Sequence, residues 1–157
     1  MSMQSWTVTG FGIKEEVFDK ASIDDKIRFI KTYLPKVYEE MQADGENDEN
    51  TDMSNTSDYL DFCKEWIDDY EDEYCNIGFA AMFANAINEH EEGFDVVYAN
   101  GEYEHESSVL YEDRMPWEMS DRIKSMKADD MREVFRKYLD ILGITADISR
   151  QSVEYYG

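Results

Sequence analysis

The sequence predicts an α+β domain in which a small antiparallel sheet, including both terminal strands and one hairpin, packs with four to five helices. Three observations carry that expectation. Residues 5–14, SWTVTGFGIK, alternate apolar and small side chains as a strand does, and ITADISRQSVEYYG supplies a last strand at the other end. Segments 58–74, 76–93 and 127–143 space their apolar residues by three and four, the period of helices with a buried face. Between the last two, DVVYANGEYEHESSVLYED reads as strand, Asn100-Gly101 turn and strand, the strongest local hairpin signal in the chain. With 157 residues, 42 % hydrophobic and 14 % aromatic, the chain is one domain able to bury a core.

In the first strand Gly10 and Gly12 permit a bulge or a tight bend. A lone Gly-x-Gly lacks the third glycine and the following helix of a dinucleotide fingerprint. Ser22 followed by Asp25 resembles a capped helix start, and that helix buries Ile23, Ile27, Ile30 and Leu34 or their neighbours. Pro35 kinks or restarts it, and KVYEEMQ continues it towards Gln42. Residues 44–57, DGENDENTDMSNTS, are polar and aperiodic, hence a loop. As a calcium loop starting at Asp44 they place Glu49 where glycine is needed and Asn55 where glutamate is needed; a start at Asp48 fails likewise.

If 58–74 is helical, Tyr59, Phe62, Cys63, Trp66, Ile67, Tyr70 and Tyr74 form an apolar stripe. Asp58, Asp61, Glu65, Asp68, Asp69 and Asp72 then line the opposite side. These carboxylates would span roughly 21 Å, about 4 Å of axis per charge, close to the ~3.4 Å phosphate spacing along one DNA strand. Cys63 and Cys75 would point about 120° apart on such a helix, too far round for a bridge. Phe79, Met82, Phe83, Ala86 and Ile87 belong to a helix apolar on nearly every face, the candidate for the centre of the core, ended by Gly93. In the second hairpin strand Glu102, Glu104 and Glu106 alternate with Tyr103 and His105 and share one face, so that edge is either exposed or a partner site. Pro116 turns the chain into a short helix. A last amphipathic helix directs Met131, Val134, Phe135, Tyr138, Leu139 and Leu142 inward and closes at Gly143.

The formal charge of −22 is made entirely in the middle. Residues 39–113 hold 24 of the 37 acids and one base, Lys64, whereas the segments before and after sum to +1 and zero. Such a charge repels nucleic acid and anionic membrane and attracts basic surfaces. A halophile chain would be acidic throughout, so the segregation disfavours that explanation. No apolar run approaches the roughly 18 residues of a membrane span, and the expected compartment is a reducing bacterial cytoplasm.

Catalytic chemistry finds little purchase. His90 and His105 each sit in a run of glutamates without a nucleophile motif, and His-Glu-Glu is not a zinc-protease helix. Among 37 acids, carboxylate pairs arise by chance. Stacking of bases on Trp66, Tyr70 and Tyr74 is opposed by the neighbouring acids. No enzyme activity, cofactor or metal is expected.

TGFGI near the start, MPWEM before the last helix and the terminal SVEYYG together resemble small, mostly uncharacterised proteins of Firmicutes and of their phages and mobile elements. That resemblance covers the two charge-neutral segments and implies a scaffold, with no activity attached. By composition alone, the acidic middle is similar to phage-encoded anti-CRISPR and anti-restriction proteins that mimic nucleic acid. The expected function is therefore an inhibitor that occupies the nucleic-acid groove of a Cas effector or restriction enzyme through Asp58, Asp61, Glu65, Asp68, Asp69, Asp72, Glu102, Glu104 and Glu106. The alternative is an acidic interaction module that forms a homodimer through apolar contacts.

Overall fold

The computed structural model describes residues 5–101 and 107–156, with side chains for 6–101 and 107–154. Among them, strands β1 (Ser5–Lys14), β2 (Val97–Ala99), β3 (Ser108–Glu112) and β4 (Ser149–Tyr156) form one antiparallel sheet ordered β2-β3-β1-β4. The α-helices are α1 (Ile23–Tyr33), α2 (Pro35–Glu46), α3 (Thr56–Asp69), α4 (Phe79–His90), α5 (Asp121–Lys124) and α6 (Ala128–Asp140). The architecture is α+β with both terminal strands in the sheet, as the sequence predicts, and the structure places those two strands side by side.

β1 is a central strand and its pairing is unbroken on both sides, so Gly10 and Gly12 make no bulge. They serve close approach instead. A Cβ at Gly12 would lie 2.0 Å from the Val109 carbonyl oxygen, and one at Gly10 would lie 2.1 Å from that of Tyr111. Only glycine leaves β3 room to lie this near.

The hairpin is wider than Asn100-Gly101 predicts. Ala99 pairs with Ser108, and Asn100, Gly101 and Ser107 are not strand. Glu102, Glu104 and Glu106 lie outside the described residues. The competing influence is burial: Val109, Leu110 and Tyr111 are all buried, and the observed register puts this apolar run between two strands. Burying three large side chains outweighs a turn propensity. Asn100 and Ser107 close the base of the connection through a hydroxyl-to-amide-oxygen hydrogen bond of 3.1 Å.

Ser22 caps α1 by accepting the Asp25 N–H at 3.1 Å. The helix ends at Leu34 because Pro35 cannot continue its hydrogen bonds, and Pro35 then opens α2. α1 buries Phe29 and Ile30, with Leu34 beyond its end, whereas Ile23 and Ile27 are half-buried. α2 runs to Glu46, three residues into the segment expected to be loop, since Gly45 is buried. In the remaining loop the Asp48 and Asp52 carboxylates accept hydrogen bonds from Asn50, Thr51 and Ser54. The Ser54 hydroxyl and N–H hold the Asp52 carboxyl below its usual range.

α4 is the centre of the molecule, with eight of its twelve residues buried. Its Phe83 stacks on Phe29 of α1 at 5.6 Å and meets Phe18 at 4.8 Å. From α6, Val134, Phe135, Tyr138 and Leu139 complete this core, and Met131 is half-buried. The segment after α6 buries Ile144 and Ile148 without regular structure, so the last strand begins at Ser149, later than the sequence suggests.

Candidate acidic interface

α3 places Cys63 and Ile67 in the core and leaves Tyr59, Phe62 and Trp66 half-buried at its margin. Asp58, Asp61, Glu65, Asp68 and Asp69 are all exposed. At ~100° per residue these five occupy an arc of about 100°, over roughly 16 Å of axis. None of the five carboxylates accepts a hydrogen bond or meets a cation among the described residues. The contrast with α6 is sharp: Asp129 and Glu133 there are paired with Arg132 and Arg136.

The helix expected over 58–74 stops at Asp69, which corrects the position of three side chains. Tyr70 turns the backbone to an extended conformation, and the chain doubles back through a Glu71–Ile77 bridge. The cause is Asp72. One oxygen of its carboxylate accepts the N–H groups of Tyr74 and Asn76 at 2.9 Å each, and the other accepts the Asn85 amide at 3.1 Å. A side chain that competes this well for backbone donors ends helices. Asp72 is therefore a structural anchor off the α3 face, Tyr74 is exposed, and the two free cysteines are separated, Cys63 buried and Cys75 exposed. Asp72→Ala is expected to cost about 2 kcal/mol, from the loss of charge-assisted hydrogen bonds. Denaturant unfolding would measure this, and faster amide exchange confined to Tyr74 and Asn76 would locate it.

The sequence gives no hint that α2 joins this surface. Between α2 and α3 lies a cleft of about 430 Å3 whose apolar lining is Phe62, Trp66 and Tyr70. Glu40, Asp44 and Asp48 border it on the α2 side, and Glu65, Asp69 and Glu71 on the other. The Trp66 indole N–H donates to Asp44 at 2.8 Å and its ring lies 5.5 Å from that of Tyr70. Burial, followed by the charges of Glu40, Asp72, Glu89 and Glu73, pushes the Tyr70 phenol above its ordinary value. Of these charges, Glu40 borders the cleft.

Two of the five α3 carboxylates are placed against the helix's own interest. Asp68 and Asp69 occupy the last turn, where no base is present and the helix dipole favours cations. Asp61, Glu65 and Asp69 also follow one another at spacings of four, each pair mildly repulsive.

Fold and site together define an α+β protein with a row of five unpaired carboxylates on α3 beside an acid-lined aromatic cleft. Neither a family model nor a curated protein nor a solved structure matches the chain. No helix among the described residues is long and apolar enough to cross a membrane, and no group of three or more His, Cys, Asp or Glu among them is arranged to hold a metal ion.

Proposed function

We infer that the protein is a non-enzymatic inhibitor whose α2–α3 face enters the nucleic-acid groove of a CRISPR–Cas nuclease or a restriction enzyme. The supporting observation is the row of five unpaired carboxylates on α3, two of them at the helix end where the dipole opposes them. Solubility alone would be served as well by acids at the other end. Phosphate-like charge spacing gives the row a use: it meets lysines and arginines that otherwise hold the backbone of DNA or RNA. Single exposed pairs are worth about 0–1 kcal/mol each. A complementary array accelerates encounter and excludes the nucleic acid.

The test is a double variant, Asp68→Lys with Asp69→Lys, assayed for binding to a panel of purified Cas effectors and restriction endonucleases. Relief of the dipole clash makes the variant more stable by about 1 kcal/mol, while association with the target slows at least about tenfold. A gain in stability beside a loss of binding separates function from misfolding. Complex formation that persists in high salt, or that is untouched by the double variant, would reject the proposal. Asp72→Ala should leave the association rate unchanged.

Trp117 is 78 % exposed and Met115 56 %, which favours a second reading, self-association through an apolar turn. Sedimentation at rising concentration decides it, since that reading requires a homodimer.

A further inference from the structure

On the helix-covered side of the sheet, Tyr111, Phe11 and Arg150 pair in one row across β3, β1 and β4. α5 and the start of α6 complete a groove of about 770 Å3 beside this row. Its apolar lining is Phe11, Tyr111, Met119, Ile123, Met126 and Met131. Methionines are flexible and polarizable, so such walls adapt to an occupant's shape.

The charge here is opposite to that of the molecule. Arg114, Lys124, Arg132 and Arg150 line the groove, with Asp113 as the acid among its lining residues. Two of the cations are already satisfied. Arg132 donates to Asp129 at 2.6 Å and to the Ile148 carbonyl at 3.1 Å, with its guanidinium 5.3 Å from the Phe11 ring centre. Arg150 pairs with Asp113. The other two are not. Among the described residues, Arg114 lies 5.7 Å from the Tyr111 ring and is the one arginine without a carboxylate partner, and the Lys124 ammonium forms no ion pair. In a chain with 37 acids, two uncompensated cations border the same apolar groove.

We propose that this groove binds a small amphipathic anion, with an alkyl or aryl body against Phe11 and the methionines and one carboxylate, sulfonate or phosphate at Arg114 and Lys124. The volume falls within the ~300–1,000 Å3 of small-molecule sites, which combine apolar walls with a few placed polar groups. A net charge of −22 repels anions at a distance, so retention has to come from these local cations and from burial of the apolar body. The groove shares no residue with the cleft between α2 and α3, so each proposal can fail without the other.

The full chain is titrated with anilinonaphthalene sulfonate, an aryl anion whose fluorescence rises in apolar surroundings. Saturable binding at one site per chain is expected, displaced by decanoate and far less by uncharged decanol. In the double variant Arg114→Gln/Lys124→Gln the affinity falls at least about tenfold, the equivalent of losing a charge-assisted hydrogen bond, with the melting temperature unchanged. A second variant, Met131→Glu, carries a like charge into the apolar lining and should weaken binding as much. Non-saturating fluorescence, binding indifferent to both variants, or equal displacement by decanol and decanoate would overturn the assignment. So would a homodimer whose dissociation is needed before the probe binds, because the occupant would then be a second copy of the chain.

Discussion

Glu91→Ala is expected to destabilise the protein by about 3 kcal/mol, and so to lower its melting temperature by roughly 6–12 °C. The reason is that one carboxylate joins three elements. Glu91 directly follows α4 and is 6 % exposed. One of its oxygens accepts Arg122 of α5 at 2.9 Å; the other accepts Lys137 at 3.1 Å and the Tyr138 hydroxyl at 2.7 Å, both from α6. Tyr138 is fully buried, so truncation strands its hydroxyl in the core and leaves two cations facing an empty acceptor. Burial raises the carboxyl's proton affinity, but the hydrogen bonds from Tyr138, Arg122 and Lys137, with the charge of Lys137, outweigh it and hold the group below its ordinary value of 4.5. A depressed folded value means that the ionised form stabilises the fold. This contribution is complete above the unfolded value and is lost as pH falls through the lower folded one. The stability difference between wild type and Glu91→Gln, measured by urea unfolding from pH 7 to 3, should therefore be constant near neutrality and shrink below about pH 4.5. A difference that does not vary with pH would sink this account. The comparison with Gln is needed because acid also lowers the net negative charge of the whole chain, which relieves repulsion and works in the opposite direction.

Gly12→Ala is the second large effect, expected to cost about 3 kcal/mol, the upper end of the range for overpacking. The added Cβ would meet the Val109 carbonyl oxygen at 2.0 Å and the Leu110 Cα at 2.7 Å, both backbone atoms of a buried central strand. No side chain can swing aside to make room, so β1 and β3 have to separate. The urea midpoint should fall, and the binding proposed for α3 should be retained whenever the variant is folded. A loss below about 1 kcal/mol would overturn the role of Gly12 in this close approach. Glycine at position 45 is a milder case, because a Cβ there meets the thioether of Met53, which can move.

Much of the fold is legible without coordinates where one periodic signal acts alone. The bounds of β1, the Ser22 cap, the break at Pro35 and the inward face of α6 each follow from residues within a turn or two of one another. The readings that changed did so where a distant or competing contact prevailed. Asp72 looked like the next member of a helical row until its carboxylate found three donors in the chain that follows. Asn100-Gly101 promised a two-residue turn, and the need to bury Val109, Leu110 and Tyr111 moved the register by six residues. Of the candidate interface, Asp58, Asp61, Glu65, Asp68 and Asp69 were legible as one row, whereas Glu40, Asp44 and Asp48 across the cleft were not. A buried Tyr138 signals that some acceptor must exist, but nothing local points to Glu91, 47 positions away.

Local chemistry written into the chain determined the bounds of β1, the start of α1, the break before α2, the inward face of α6, and that the negative charge is confined to the middle. It could do so because periodicity, caps and proline act over a few residues. Tertiary structure alone decided that two acidic helices border one aromatic cleft, that Glu91 ties α4 to α5 and α6, and that Arg114 and Lys124 share an apolar groove with neither paired. Each of those facts depends on which surfaces meet when the core closes around α4, and that is settled by packing among residues far apart in sequence.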